Sequence, residues 1–112
     1  MPLRDKKTYL WDVLNAINAV DAAMNEVSPE SYPNNRLVRS AVEREFEIIG
    51  EALNQASQNF PELRDEISDL GRIIAFRNRL AHAYFATDHN VVLGIAELYL
   101  PRLKAEVTAL LA

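Results

Sequence analysis

Cysteine is absent from these 112 residues, and glycine (three), histidine (two) and tryptophan (one) are scarce. Without cysteine there is no disulfide framework and no thiolate metal site, which fits a reducing compartment. The few glycines form no phosphate-cradling loop, and neither a GxSxG elbow nor an HExxH pair occurs. His82 and His89 have no paired carboxylate ligand set and do not make a catalytic zinc site, so no metal and no cofactor is expected. No apolar run approaches the roughly 20 residues of a membrane span, and the N-terminal MPLRDKKTYLWDVL lacks the unbroken apolar core of a signal peptide. The expectation is a cytoplasmic protein without membrane contact.

A basic excess is also missing. The net charge of −4 and the pI near 5.1 are not the footprint of a protein that grips nucleic acid over a broad basic face, so any such contact must be local. Most of the twelve basic residues are nevertheless arginine, which suits planar, bidentate recognition of phosphate or carboxylate better than lysine does. Strand signals are essentially absent. A chain of this length buries roughly two-thirds of its unfolded surface, enough for one domain spanning 1–112 without a staple.

Helical periodicity accounts for most of what is present. Leu10, Val13, Leu14, Ile17, Val20, Met24 and Val27 recur at three- and four-residue steps and predict a first helix from about Leu3 to Val27. The segment SPESYPNN breaks it and offers Asn34 or Asn35 as a cap. A second helix is expected over Arg36 to Gln58, with a broad apolar stripe that includes Leu37, Val42, Phe46, Ile48, Ile49 and Leu53. Such a stripe serves either a central helix of a monomer or a bundle core plus a subunit interface. Gly50, in mid-helix, costs about 1 kcal/mol relative to alanine and so points to a close helix approach. Pro61 starts a short helix, Ser68 or Asp69 can cap a third main helix, and Thr87 or Asp88 can cap a last one over His89 to Leu111. Pro101 should kink that last helix near Glu97 to Tyr99. The architecture expected is an all-α, up-and-down four-helix bundle with one short extra helix.

One residue breaks the pattern of the third main helix. Leu70, Ile73, Ile74, Leu80 and Ala81 define its apolar face, and Arg77 falls in the middle of that face. An arginine aimed at a core must be paired or must line a cleft, because a buried unpaired charge costs several kcal/mol. Glu47 and Glu51, one turn apart on the second helix, are the candidate partners; a solvated acidic edge, or a purely structural Arg–Glu tie, would explain them as well. Five residues further on comes His82, the side chain type that titrates near neutrality. At about 100° per residue, an unbroken helix points His82 roughly 140° away from Arg77. The two meet only if the helix ends or distorts near Leu80 to Ala81, or if the pair is completed across a symmetric interface. Tyr84 adds a phenol within the same stretch, FRNRLAHAYF (Phe76 to Phe85). Arginine, histidine and tyrosine are the parts of metal-independent phosphodiester cleavage, in which a base deprotonates the ribose 2′-hydroxyl and a cation stabilises charge on the phosphoryl oxygens.

Arg77, Asn78, His82, Tyr84 and Phe85, taken with AVEREFEIIGEALN (Ala41 to Asn54), resemble the signature of the HepT-like (DUF86) family of the HEPN superfamily over nearly the whole chain. The resemblance implies a HEPN-like helical bundle acting as a symmetric homodimer, and a ribonuclease toxin encoded beside a nucleotidyltransferase antitoxin. It further implies Arg77 as phosphate ligand, His82 as general acid/base, Asn78 as polar support, RNA rather than DNA as substrate, and Tyr84 as the acceptor of AMP from the cognate nucleotidyltransferase. Two other classes are compatible with the same residues: a non-catalytic nucleotide- or partner-binding module, and a structural accessory subunit of a nucleotidyltransferase.

Overall fold

The computed structural model describes residues 4–82 and 88–112. These form six α-helices, α1 (Lys6–Met24), α2 (Arg36–Asn59), α3 (Leu63–Glu66), α4 (Leu70–His82), α5 (His89–Leu98) and α6 (Leu100–Leu111), with a 3₁₀ turn at Tyr32–Asn34 before α2. No strand occurs among the described residues.

The helix ends follow local chemistry. Asp5 caps α1 by accepting from the Lys7 amide, Asn35 caps α2 through Val38 N at 3.0 Å, and Asp88 caps α5 through Asn90 N at 2.9 Å. Each satisfies an amide that the first helical turn leaves without a partner. The expected last helix is two helices. Pro101 cannot donate to the carbonyl of Glu97, and the chain breaks at Tyr99, where φ is −107°, before α6 resumes. Ser68 and Asp69 behave differently from a simple cap. The Asp69 carbonyl does accept from Ile73 N at 3.0 Å. Its carboxylate, however, accepts from Arg102 Nε at 2.9 Å and Nη2 at 2.8 Å, and the Ser68 hydroxyl donates to Glu106 at 2.7 Å. Both side chains tie the start of α4 to α6.

Helix α2 runs antiparallel to both α1 and α4. Tyr9 near the start of α1 meets Asn59 at the end of α2, and Lys6 reaches Glu62 and Glu66 around α3. Along the α2–α4 contact, Asn54 shares a groove with Ile74, while Gly50 lies against Arg77 further along. The core is built from Leu10, Val13 and Ile17 of α1, Phe46, Ile49 and Leu53 of α2, and Leu103 and Val107 of α6, all essentially inaccessible to solvent. Each such side chain contributes about 1.5–3 kcal/mol relative to exposure. Phe76, which the apolar face predicted for α4 omits, packs edge-on against Phe46 with ring centroids 5.2 Å apart, whereas Ala81 is exposed.

The broad stripe of α2 is only partly covered. Val42, Phe46, Ile49 and Leu53 are buried, but Leu37 is 85% exposed, Ala41 is exposed and Ile48 is half-buried. Leu37, Ala41, Arg44, Ile48, Glu51 and Gln55 succeed one another at four- and three-residue steps, so they share one side of the helix. Trp11 of α1 is also about half exposed, at 51%.

Candidate functional site

Gly50 is the pivot of the site. A Cβ at this position would lie 2.6 Å from Arg77 Cγ and closer still to Arg77 Cβ, so the arginine stem rests directly on the α2 backbone. Only glycine permits that approach. The stem covers apolar surface while its charged head extends past α2, which resolves the presence of a cation on the apolar face of α4.

The guanidinium is held at defined atoms. Its Nη2 lies 2.6 Å from Glu51 Oε2, its Nη1 donates to Asn78 Oδ1 at 3.0 Å, and its Nε is buried without a hydrogen-bond partner among the described residues. The Arg77 side chain retains 30% of its exposure. An arginine has five N–H donors. Among the described residues Asn78 takes one of these donors and Glu51 pairs with Nη2, so part of the donor set is left for an oxyanion. Glu51 is itself steadied by Gln55 Nε2 at 2.6 Å from its other oxygen.

The partner of Arg77 is therefore Glu51, not Glu47. Glu47 faces Arg44, with 3.4 Å between Oε2 and Nη1, yet it lines the same cleft. This cleft, about 280 Å³, runs between α1 and α2 and is closed on its other side by Arg77. Arg4, Arg44 and Arg77 line it together with Asp12, Glu47 and Glu51. Arg4 pairs with Asp12 at 2.6 Å and lies over the Tyr9 ring at 4.8 Å. Three cations and three carboxylates balance, so the cleft is locally polar without being a basic patch.

His82 is the last residue of α4 and is exposed. The helix reaches it unbroken, so Arg77 and His82 point in different directions within one chain, and His82 does not line the cleft that Arg77 closes. A distortion near Leu80 to Ala81 that would bring them together does not occur. Tyr84 and Phe85 lie outside the described residues. The side-chain oxygen of Asn78 accepts from Arg77 Nη1. Sequence reasoning missed Arg4, Asp12 and Arg44; the three-residue spacing of Arg44 and Glu47 was a usable signal, but nothing local joins Arg4 to α2. No group of three or more histidine, aspartate or glutamate residues is arranged to hold a metal ion among the described residues. No described helix is long and apolar enough to cross a membrane.

A family model described as ribonuclease HepT-like matches residues 13–110. A protein of Methanocaldococcus jannaschii named "Putative RNase MJ1380" is 33% identical over 107 residues, covering 96% of this chain and 97% of its own. "Probable ribonuclease HepT" of Thermococcus cleftensis is 32% identical over 105 residues, covering 92% and 93%. A second M. jannaschii protein, "Putative RNase MJ0125", is 30% identical over 106 residues, covering 95% and 90%. No solved structure matches the chain.

Proposed function

The chain belongs to the ribonuclease HepT-like family, and from that premise we propose that it is a metal-independent endoribonuclease whose site is completed by two copies of the chain. The observation that carries this reading is the state of Arg77: seated on Gly50, paired with Glu51, bonded to Asn78, and partly exposed with donors to spare among the described residues. Such a fork is suited to a phosphodiester and to the charge that builds on it during attack by the 2′-hydroxyl. His82 serves as the general acid/base. Because α4 directs it away from Arg77 of its own chain, the histidine that works with Arg77 comes from the second copy. The uncovered side of α2, with Leu37 and Ile48, supports a symmetric homodimer in which the Arg77 cleft lies at the interface.

Four measurements test this. Light scattering should give twice the chain mass at micromolar concentration. RNA cleavage should survive a chelator and should fall by about 10²–10⁴-fold in His82→Ala, with a comparable loss in Arg77→Ala. Mixing these two inactive variants under conditions that allow subunit exchange should restore cleavage, because half of the dimers then hold one intact pair; roughly a quarter of the parent activity is expected if the chains assort at random. Cleavage that vanishes with the chelator, or a mixture that stays inactive although the chains exchange, would remove the composite site.

In the cell this activity is that of a toxin silenced by a nucleotidyltransferase antitoxin. An AMP ester on Tyr84, two residues beyond His82, would add a negative phosphodiester and a bulky base beside the histidine, blocking RNA by volume and by like-charge repulsion. Co-expression with the nucleotidyltransferase should yield a chain heavier by one or more AMP units, mapped to Tyr84. The carboxylates paired with each arginine of the cleft favour a second reading, a non-catalytic partner-binding module or accessory subunit. It predicts a stable complex with the nucleotidyltransferase and no RNA turnover.

A further inference from the structure

A groove of about 410 Å³ lies in the seam between α2 and α4, one turn beyond the contact of Gly50 with Arg77. Asn54 and Gln58 of α2 line it together with Ile74 and Gly71 of α4, and Arg64 of α3 stands at its far end. Asn54 follows Glu51 by three residues and Ile74 precedes Arg77 by three. Both therefore lie on the helix sides that carry the Arg77–Glu51 pair, about 4.5 Å further along the seam. The groove continues the site at Arg77. Asn54 sits about 120° around α2 from Ile48, so the side of α2 assigned to a second copy leaves the groove open.

Its chemistry differs from that of the cleft on the other side of Arg77. Three carboxylates line that cleft, whereas no aspartate or glutamate lines the groove. Arg4, Arg44 and Arg77 are each paired with a carboxylate, at 2.6, 3.4 and 2.6 Å. Arg64 is exposed and has none within 4.0 Å among the described residues. Glu62 and Glu66, on either side of it in the chain, are held by Lys6 at 3.2 and 2.9 Å, and Glu106 accepts from the Ser68 hydroxyl at 2.7 Å. In a chain of net charge −4, this makes the groove a local place for phosphate. Gln58 Nε2 donates to Asn54 Oδ1 at 3.4 Å. Whichever way the two amides are turned, one bond between them leaves a carbonyl oxygen on one residue and an amino group on the other. A neighbouring donor and acceptor match the edge of a nucleobase, and the half-buried Ile74 offers apolar surface to its face.

We infer that this groove is the base-reading subsite of the RNA site. The nucleotide next to the phosphate at Arg77 lies in it, with its base edge on Asn54 and Gln58 and the phosphate beyond it on Arg64. The inference rests on the ribonuclease reading for the presence of RNA; the acid-free lining and the amide pair determine which part of the RNA the groove takes.

The test uses short, fully 2′-O-methylated RNA, which is not cut, so that binding by the full-length protein is measured apart from cleavage. Each position of the oligonucleotide is varied in turn through the four bases. The parent should prefer one base at one position, and Asn54→Ala and Gln58→Ala should each reduce that preference about fivefold or more. For Arg64→Gln the slope of log K against log salt should be shallower by about 0.7, the value of one single-strand phosphate contact. Gly71→Met fills the groove from α4. A Cβ there meets nothing within 4 Å and methionine is the better helix former, so the melting temperature should not fall, yet RNA should bind at least tenfold more weakly. The subsite is overturned if Gly71→Met and Arg64→Gln bind like the parent, if the amide variants keep its base preference, or if the parent does not bind the methylated RNA. Variants that bind RNA normally but no longer hold the nucleotidyltransferase would give the groove to a protein partner instead. A parent that cuts RNA while these variants bind unchanged removes the groove and keeps the ribonuclease reading. Groove-dependent binding by a parent that cuts none removes that reading and keeps the groove.

Discussion

Replacing Gly50 by alanine sets two opposed effects against each other. In a helix interior the change should stabilise by about 1 kcal/mol, through lower backbone entropy in the unfolded chain. Against this, the new methyl would sit 2.6 Å from Arg77 Cγ and nearer still to Arg77 Cβ. Carbon atoms rest about 3.5–4.0 Å apart, so α2 and α4 must separate by more than about 1 Å. The atom in the way is a Cβ fixed to its own backbone and cannot rotate aside. Overpacking of this kind costs about 1–3 kcal/mol, and the upper end applies. The net expectation is a loss of about 2 kcal/mol, or roughly 8 °C in melting temperature for a chain of this size. Gly94→Ala, in mid-α5, is the control: an added Cβ there meets nothing within 4 Å, so only the favourable helix effect remains and stability should rise. Thermal and urea unfolding of both variants measure the difference, and RNA cleavage should fall in Gly50→Ala as Arg77 is pushed out of register with Glu51. If Gly50→Ala proves as stable as Gly94→Ala, the close seating of Arg77 on α2 is wrong.

Glu51→Gln should change stability by less than about 1 kcal/mol, since the pair with Arg77 is partly exposed. It should also tighten RNA binding by freeing Arg77 from a competing carboxylate; unchanged affinity would mean that Arg77 does not meet phosphate. Tyr32, raised to about 12 by burial and by Glu43, ionises later in the folded chain than in the unfolded one. Its contribution is thus intact below pH 10 and is lost as pH rises towards 12, a fall of about 2–3 kcal/mol that Tyr32→Phe should abolish in alkaline unfolding curves. Arg102→Ala strips the partner from Asp69, which is only 4% exposed, whereas Lys104→Ala breaks an exposed pair with Asp21. The first should lower the urea midpoint clearly more than the second.

Local chemistry made much of the molecule legible before any coordinates. The caps at Asn35 and Asp88, the interruption caused by Pro101, and the long helices all depend on residues within about one turn of each other, and there propensity and hydrogen-bond chemistry suffice. Arg77 stood out for a similar reason, as a charge on an apolar face, and Gly50 as a helix-weakening residue that required a neighbour. What fills the space opposite them depends on which helices pack together and in what register, and no local pattern carries that information. Tertiary structure alone chose Glu51 over Glu47, brought Arg4 and Asp12 to the cleft, and turned Ser68 and Asp69 towards α6. It also decided that α4 runs unbroken to His82, separating that histidine from Arg77 within a chain. The meeting of Tyr32, Arg39 and His89 was equally illegible, because each looked like an ordinary residue of its own segment until the fold brought the 3₁₀ turn, the start of α2 and the start of α5 together.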